Sequence, residues 1–302
     1  MNKIIVRIAE GLGNQLFMYA NAFALSKKIN YNLLIDNESG FFKNKDISNY
    51  YLDNFNITAK LCDDNLKFDN TLKNIKRKFL IKSDFFNTKK KFLIEKKDKY
   101  KKTKFSDLSN KVFSETLYVE GHYESEKYFS DFKNHLKQQF TFKDEHIFNN
   151  SKYLDLINKN QFVVSICIRQ NRFSERINNK YDEYQKLKSE SLTKETVDYI
   201  KRAVSFVDAK LDNVKYLVWS NDFKNLRTYL HEDKYIFIEN SKNKALADFY
   251  LLLKCKNFIV GPSSFHWWPA WLNQDQHSLI LRPKNINISN NVDFWPNDWI
   301  PI

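Results

Sequence analysis

The hydrophobic pattern of the chain opens with a short β-rich run, Ile4, Ile5, Val6 and Ile8, followed by a tight turn at Gly11-Leu12-Gly13-Asn14. From Gln15 to Lys28, Leu16, Tyr19, Ala20, Phe23 and Ala24 recur at helical spacing, and Leu33 to Asp36 reads as a second strand. Strand, helix and strand in that order predict the start of a parallel sheet. From about 38 to 110 the alternation is lost in polar, basic and aromatic residues. Leu72, Ile75, Phe79 and Leu80 fit one face of a helix, with Lys73, Lys76, Arg77 and Lys78 on the others. Thr116 to Val119 then reads as a strand leading into Gly121-His122-Tyr123.

Beyond Gln161 the pattern is regular. Strands are predicted at Phe162–Ile168, Tyr216–Trp219, Tyr235–Ile238, Phe258–Val260 and Leu279–Leu281. Helices are predicted at Thr193–Asp208, Phe223–Leu230, Lys244–Cys255 and Phe265–Leu272. Short apolar strands alternating with helices indicate a doubly wound parallel sheet. Asn149 to Asn160 is the expected boundary between two α/β halves, 1–150 and 151–302. No internal repeat is visible.

Composition narrows the class. The 302 residues are 42% hydrophobic and 16% aromatic, ample for packed cores and unlike a disordered chain. Cys62, Cys167 and Cys255 have neither metal-like spacing nor the look of a disulfide framework, which fits a reducing compartment. The apolar run near Met1 is too short for a secretory signal, and no stretch approaches the roughly 18 apolar residues of a membrane span. The expected location is therefore the cytoplasm. The net charge of +13 is concentrated: Lys67 to Lys104 holds 15 Lys or Arg against 4 Asp or Glu, a net of +11.

Four clusters at strand ends carry candidate chemistry, because ligands of parallel sheets bind beyond the carboxyl ends of the strands. Gly11-Leu12-Gly13-Asn14-Gln15 lets a ligand approach the backbone at a helix start, a place suited to a diphosphate; the plain alternative is a tight strand-to-helix turn. Arg169 follows a strand, with Arg172 and Arg176 nearby, and offers paired bonds to phosphate; a solvated basic loop is the alternative. Ser220-Asn221-Asp222 can hold sugar hydroxyls or cap the next helix. Pro262-Ser263-Ser264 can bind phosphate at a helix start or serve as an ordinary cap. Together they describe one crevice for an anionic nucleotide.

These residues resemble the bacterial α-1,2-fucosyltransferases of glycosyltransferase family 11. Gly11-Leu12-Gly13-Asn14-Gln15-Leu16-Phe17 is similar to that family's opening motif. Gly121-His122-Tyr123-Glu124-Ser125 resembles its Gly-Tyr-aromatic-Gln-Ser segment, and Ser220-Asn221-Asp222 its Ser-Asp-Asp strand end. Ser263-Ser264-Phe265-His266-Trp267-Trp268-Pro269-Ala270-Trp271-Leu272 matches its Ser-Ser-Phe-x-Trp-Trp segment, the most specific of the set, and Asp293 to Trp299 its C-terminal end. Two departures stand out. Where the family has His-x-Arg-Arg-x-Asp, this chain has Cys167-Ile168-Arg169-Gln170-Asn171-Arg172, and Glu10 replaces a common Gly. Cys167 cannot make the imidazole's contact.

The resemblance implies an α/β fold of GT-B type, two Rossmann-like domains with a cleft between them. The first would lie on the acceptor side and carry the basic insertion 67–104; the second would bind the sugar nucleotide. It implies an inverting transfer of L-fucose from GDP-fucose to a glycan hydroxyl, α-1,2 linked, without a metal. Arg169 would neutralise the diphosphate, Ser263 and Ser264 would help to hold it, and Asp248 would read guanine. The loop of Gly11, Gly13, Asn14 and Gln15 would close over the donor, and Asn221 and Asp222 would line its site. Glu10 is a candidate general base. Lys67 to Lys104, with interleaved Phe, Leu and Ile, suits an anionic membrane surface that presents a lipid-linked acceptor; a solvated basic loop is the alternative. The rival readings are a transferase for another nucleotide sugar and a basic nucleic-acid-binding protein. The latter is disfavoured because the charge sits in one segment and the aromatics lie in helices.

Overall fold

The structure is a computed structural model that describes residues 2–43, 49–95, 112–148, 152–174, 183–240, 244–274, 276–289 and 291–302. Arg176 and the last part of the basic stretch, from residue 96, lie outside the described residues. The chain divides into two compact units: Met1–Asp144 with Ser289–Pro296, and Glu145–Ile288 with Asn297–Ile302. The C-terminal stretch thus returns to the first unit before it ends in the second.

The first unit holds a parallel sheet of β1 (Lys3–Arg7), β2 (Asn32–Asp36), β3 (Lys60–Leu61), β4 (Lys90–Ile94) and β5 (Phe113–Glu120), in the order β3-β2-β1-β5-β4. Helix α1 (Leu12–Lys28) is buried on nearly every side, which explains why it is apolar almost all round. It starts three residues before the expected Gln15, because Gly11 occupies the N-cap. Helix α2 (Thr71–Asp84) precedes β4, and α3 (Lys133–Gln139) follows β5. Strand β4 gave no sequence signal. It is an edge strand, Lys-rich at its start, and edges are commonly blunted by charge.

The second unit holds β6 (Val163–Ile168), β7 (Lys215–Ser220), β8 (Tyr235–Phe237), β9 (Asn257–Ile259), β10 (Ile280–Arg282) and β11 (Ile300–Pro301), all parallel, in the order β11-β10-β9-β6-β7-β8. Helix α4 (Lys152–Lys159) occupies the stretch expected as a boundary. Val164, Ile166 and Ile168 pack against Ile200, Ala203 and Val207 of α5 (Glu183–Asp208) on one face. Each Val or Ile among them contributes roughly 1.5–3 kcal/mol of burial. The other face carries Ser165 and Cys167 towards α7 (Lys244–Lys254) and α8 (Ser264–Asn273). Helix α5 begins ten residues before the expected Thr193. Its first turns are mostly exposed, so no apolar period marks them. The expected helix Phe223–Leu230 shrinks to α6 (Leu226–Tyr229), because Asn225 takes a left-handed conformation, φ 64°, at its start.

The two units share a plan. In each, the first strand is central, the chain builds outward on one side, then returns to build on the other. The order therefore reverses between β1 and β5 in the first sheet and between β6 and β9 in the second. The structure shows the α/β architecture of a GT-B fold, two Rossmann-like units.

Candidate functional site

In the second unit the reversal point is built by three loops. Gly261, just beyond β9, lies so close to β6 that a Cβ there would sit 1.9 Å from the Cys167 carbonyl oxygen. Only glycine fits, and the close approach brings the end of β9 against the strand that delivers Arg169. The half-buried Arg169 follows Ile168 directly. Next to it, the Gln170 N–H donates to Asn221 Oδ1 at 2.8 Å, and Asn221 Nδ2 donates back to the Gln170 carbonyl at 3.0 Å. Gln170 Nε2 donates to the carbonyls of Asp222 and Lys224. The Asp222 carboxylate accepts from the Lys224 N–H at 2.8 Å and from Asn171 Nδ2 at 3.2 Å. Asn221 and Asp222 thus brace the loop that carries Arg169.

The loop after β9 is clamped from below. His266 is fully buried, and burial pushes its imidazole down to about 3, so it is neutral. Its Nδ1 accepts from the Gly261 N–H at 3.1 Å, which places the ring proton on Nε2, 3.1 Å from Ser165 Oγ. That hydroxyl in turn donates to the Asn257 carbonyl at 3.3 Å. Ser263 is the N-cap of α8, its Oγ accepting from the Phe265 N–H at 3.2 Å. The positive end of the α8 dipole therefore opens at the reversal point, where an anion is favoured. Helix α8 itself is immobilised by its tryptophans. Trp267, Trp268 and Trp271 are buried, Trp267 stacks on Trp271 at 5.7 Å between centroids, and Trp299 packs 5.6 Å away. The most recognisable motif of the sequence is thus mainly a structural anchor for the two serines that precede it.

Asp248 of α7 is buried, and desolvation raises its carboxyl to about 6, opposed by a 2.6 Å bond from Asn240 Nδ2. It faces Cys167, whose thiol burial holds well above its ordinary value. A buried carboxylate at the carboxyl edge of the sheet suits a ligand with paired N–H donors.

In the first unit the reversal point carries a different chemistry. Glu10 is left-handed, φ 64°, at the turn into α1, a conformation natural to glycine and strained for glutamate. Its carboxylate accepts from Asn14 Nδ2 at 2.5 Å and meets His122 Nε2 at 3.2 Å. His122 follows β5 and Glu10 follows β1, so the pair straddles the point where strand order reverses. Behind it lies a buried ionic lattice. Glu95 Oε2 accepts from the His122 N–H at 2.7 Å and the Tyr123 N–H at 3.2 Å. Arg77 makes a two-pronged contact with Glu120, and burial lowers the Arg7 guanidinium, which Glu120 and Asp36 help to keep charged. Gly121, at φ 136°, makes the bend, and a side chain there would strike Glu95.

The expected residues separate into groups. Arg169, Asn221, Asp222, Ser263, Ser264 and Asp248 belong to the second unit's carboxyl edge. Glu10, Gly11, Gly13, Asn14 and Gln15 belong to the first unit. Gly11 is exposed, and a Cβ there would meet no atom within 4 Å, so packing does not demand glycine. Gln15 is fully buried, and its amide is committed within the unit: Nε2 donates to the Glu10 and Asn49 carbonyls at 2.7 Å, and Oε1 accepts from the Tyr51 N–H at 2.9 Å. Sequence reasoning missed His122 and His266 as site builders. A signal existed for both: His122 stands where the related motif has Tyr, and His266 is the one polar residue between Ser264 and Asn273 of α8. Among the described residues no three His, Cys, Asp or Glu side chains gather to hold a metal ion.

The Alpha-1,2-colitosyltransferase of Escherichia coli is 26% identical over 313 residues, covering 100% of this chain and 99% of that protein. The O-antigen biosynthesis glycosyltransferase WbnK of Escherichia coli is 25% identical over 321 residues, covering 96% and 98%. Among solved structures, the fucosyltransferase NodZ from Bradyrhizobium superposes with a TM-score of 0.55 at 14% identity, covering 89% of this chain and 91% of that one. NodZ α-1,6-fucosyltransferase soaked with GDP-fucose gives 0.53 at 14% identity, covering 90% and 92%. The family described as Glycosyl transferase family 11 matches residues 2–300, so the chain belongs to that family and is a glycosyltransferase.

Proposed function

We propose that the protein transfers L-fucose from GDP-β-L-fucose to a glycan hydroxyl, inverting the anomeric centre to form an α-1,2 linkage in the synthesis of a surface polysaccharide or lipopolysaccharide. The reading is carried by one arrangement: Arg169 at the end of β6 and the N-terminus of α8 just beyond β9, both at the reversal point of the second sheet. It is supported by the names of the Escherichia coli relatives and by the NodZ structure soaked with GDP-fucose.

The acceptor oxygen attacks C1 of the sugar as the C1–O bond to the β-phosphate breaks. Charge builds on the leaving GDP through an oxocarbenium-like transition state. Arg169 and the α8 dipole stabilise that charge, with Ser263 and Ser264 holding the diphosphate. The Asp248 carboxylate accepts N1–H and N2–H of guanine. Asn221 and Asp222 hold the loop of Arg169 in place, and Gln15 holds the turn of Gly11, Gly13 and Asn14 in the first unit. The acceptor proton passes to the pair formed by Glu10 and His122, in which the carboxylate orients the imidazole. The acceptor is lipid-linked, and the enzyme works in the cytoplasm at the inner face of the membrane.

The test is a donor screen. GDP and GDP-fucose should raise the melting temperature where UDP and dTDP do not, and NMR of the product should show the α anomer. Failure to bind any guanosine diphosphate compound would remove the proposal. A second reading keeps the transferase and changes the sugar. It is favoured by the colitosyltransferase relative and by Cys167 in place of the motif's His. Colitose lacks the 3-hydroxyl of fucose, so faster turnover with a 3-deoxy donor than with GDP-fucose would select it.

A further inference from the structure

Helix α2 turns most of its apolar residues outward. The side that meets the fold is held by polar groups. Asn70 caps its start, accepting from the Lys73 N–H at 3.0 Å. Arg77 grips Glu120 from the middle of the helix. Asp84, the sole buried residue of the helix, accepts from the Lys91 and Phe92 N–H groups at 2.9 and 3.0 Å, tying its end to β4. Of the apolar residues, Leu80 and Ile81 are half-buried beside these groups, and the others point the other way. Leu72, Ile75 and Phe79, at i, i+3 and i+7, are 79%, 58% and 72% exposed, and Phe85 and Phe86 continue past the helix end at 80% and 85%. An exposed row of this size is not what a solvated helix shows, and such patches mark contact sites.

The flanks of the row say what covers it. Lys76, Lys78 and Lys82 are exposed beside it and, among the described residues, form no ion pair. By contrast, Lys67 and Lys73 in the same region are tied to Glu38, Asp64 and Asp69. Unpaired lysines around an apolar ridge match a surface that is negative outside and apolar beneath. A second copy of this positive ridge would bring like charges together. No described helix is long and apolar enough to cross a membrane, so the contact is one of lying on a bilayer.

We infer that α2 and the Phe85-Phe86 pair form a docking surface for an anionic lipid bilayer, with Leu72, Ile75, Phe79, Phe85 and Phe86 entering the interface and Lys76, Lys78 and Lys82 meeting the headgroups. This deepens the proposed function by naming the membrane-contacting element, but it rests on one helix and not on the choice of donor. The full chain should co-sediment with vesicles of phosphatidylcholine plus phosphatidylglycerol at least tenfold better than with phosphatidylcholine alone, and added salt should weaken binding. Leu72→Ser/Ile75→Ser/Phe79→Ser and, separately, Lys76→Gln/Lys78→Gln/Lys82→Gln should each lower binding about tenfold or more. Both variants should keep the parent's melting temperature and its transfer to a soluble acceptor, because the fold does not use these side chains. Equal binding to neutral and anionic vesicles overturns the inference. So does a lysine variant that binds like the parent, or a dimer of the parent that the serine variant dissolves. No sugar nucleotide is present in the vesicle assay, so its failure leaves the donor reading standing, and the reverse holds as well.

Discussion

The two sheets of this protein reverse strand order at equivalent points, yet they place opposite chemistry there. Beyond β6 and β9 the second unit sets Arg169 and the start of a helix above a neutral foundation of His266, Ser165 and Gly261. Beyond β1 and β5 the first unit sets Glu10 and His122 above a lattice of Glu95, Glu120, Arg77 and Arg7. The second arrangement suits a fixed anion, which is stabilised by groups that need not move. The first suits a proton, because it couples a carboxylate to an imidazole. A parallel sheet supplies a place for chemistry, and the side chains at the strand ends decide which chemistry it is.

The sharpest way to break this comparison is Arg169→Ala. If the second unit carries the leaving-group charge, kcat/KM should fall by about 10²–10³, roughly 3–4 kcal/mol, with the melting temperature nearly unchanged. A variant that transfers sugar at the parent's rate removes the assignment. Gly261→Ala should act on the foundation: the added Cβ collides with the β6 backbone, so a stability loss of about 3 kcal/mol or more is expected in chemical denaturation.

Glu10→Gly addresses the first unit. Glycine relieves the left-handed backbone by about 1 kcal/mol, so the melting temperature should hold or rise while kcat falls roughly tenfold to a hundredfold. An undiminished kcat would leave the pair without a part in proton transfer. Asp248→Asn should weaken GDP binding by about tenfold. It should also remove a desolvation penalty, leaving the protein as stable as the parent or more so at pH 7.

The pH dependence of stability separates the two buried groups. His266 is depressed from 6.5 to about 3, so its contribution is complete above 6.5 and is lost as pH falls towards 3. Asp248 is raised from 3.8 to about 6, so its protonated form favours the fold below 3.8, and that benefit is lost as pH rises through 6. Between pH 6 and 4 the two oppose each other. Asp248→Asn should therefore steepen the acid loss seen by calorimetry, and His266→Asn should flatten it.

Much of this protein was legible in the amino-acid order alone. The strand-helix alternation after Gln161 follows from local period and burial, so five of the second unit's six strands were readable; β11, two residues long with a proline as the second, was too short to show a period. The strand-end positions of Arg169, Ser263 and Ser264 came with it, as did the family motifs. What needed the tertiary structure were facts about partners distant in the chain. The pairing of Glu10 with His122, residues 112 positions apart, exists only because β1 and β5 lie side by side. The clamp of His266 on Gly261 depends on a close approach of β9 to β6 that no local pattern encodes. The outward row of α2 was visible as a helical face, but its direction was not. A period shows that apolar residues share a side, and only the neighbours of the folded helix decide whether that side is inside or out.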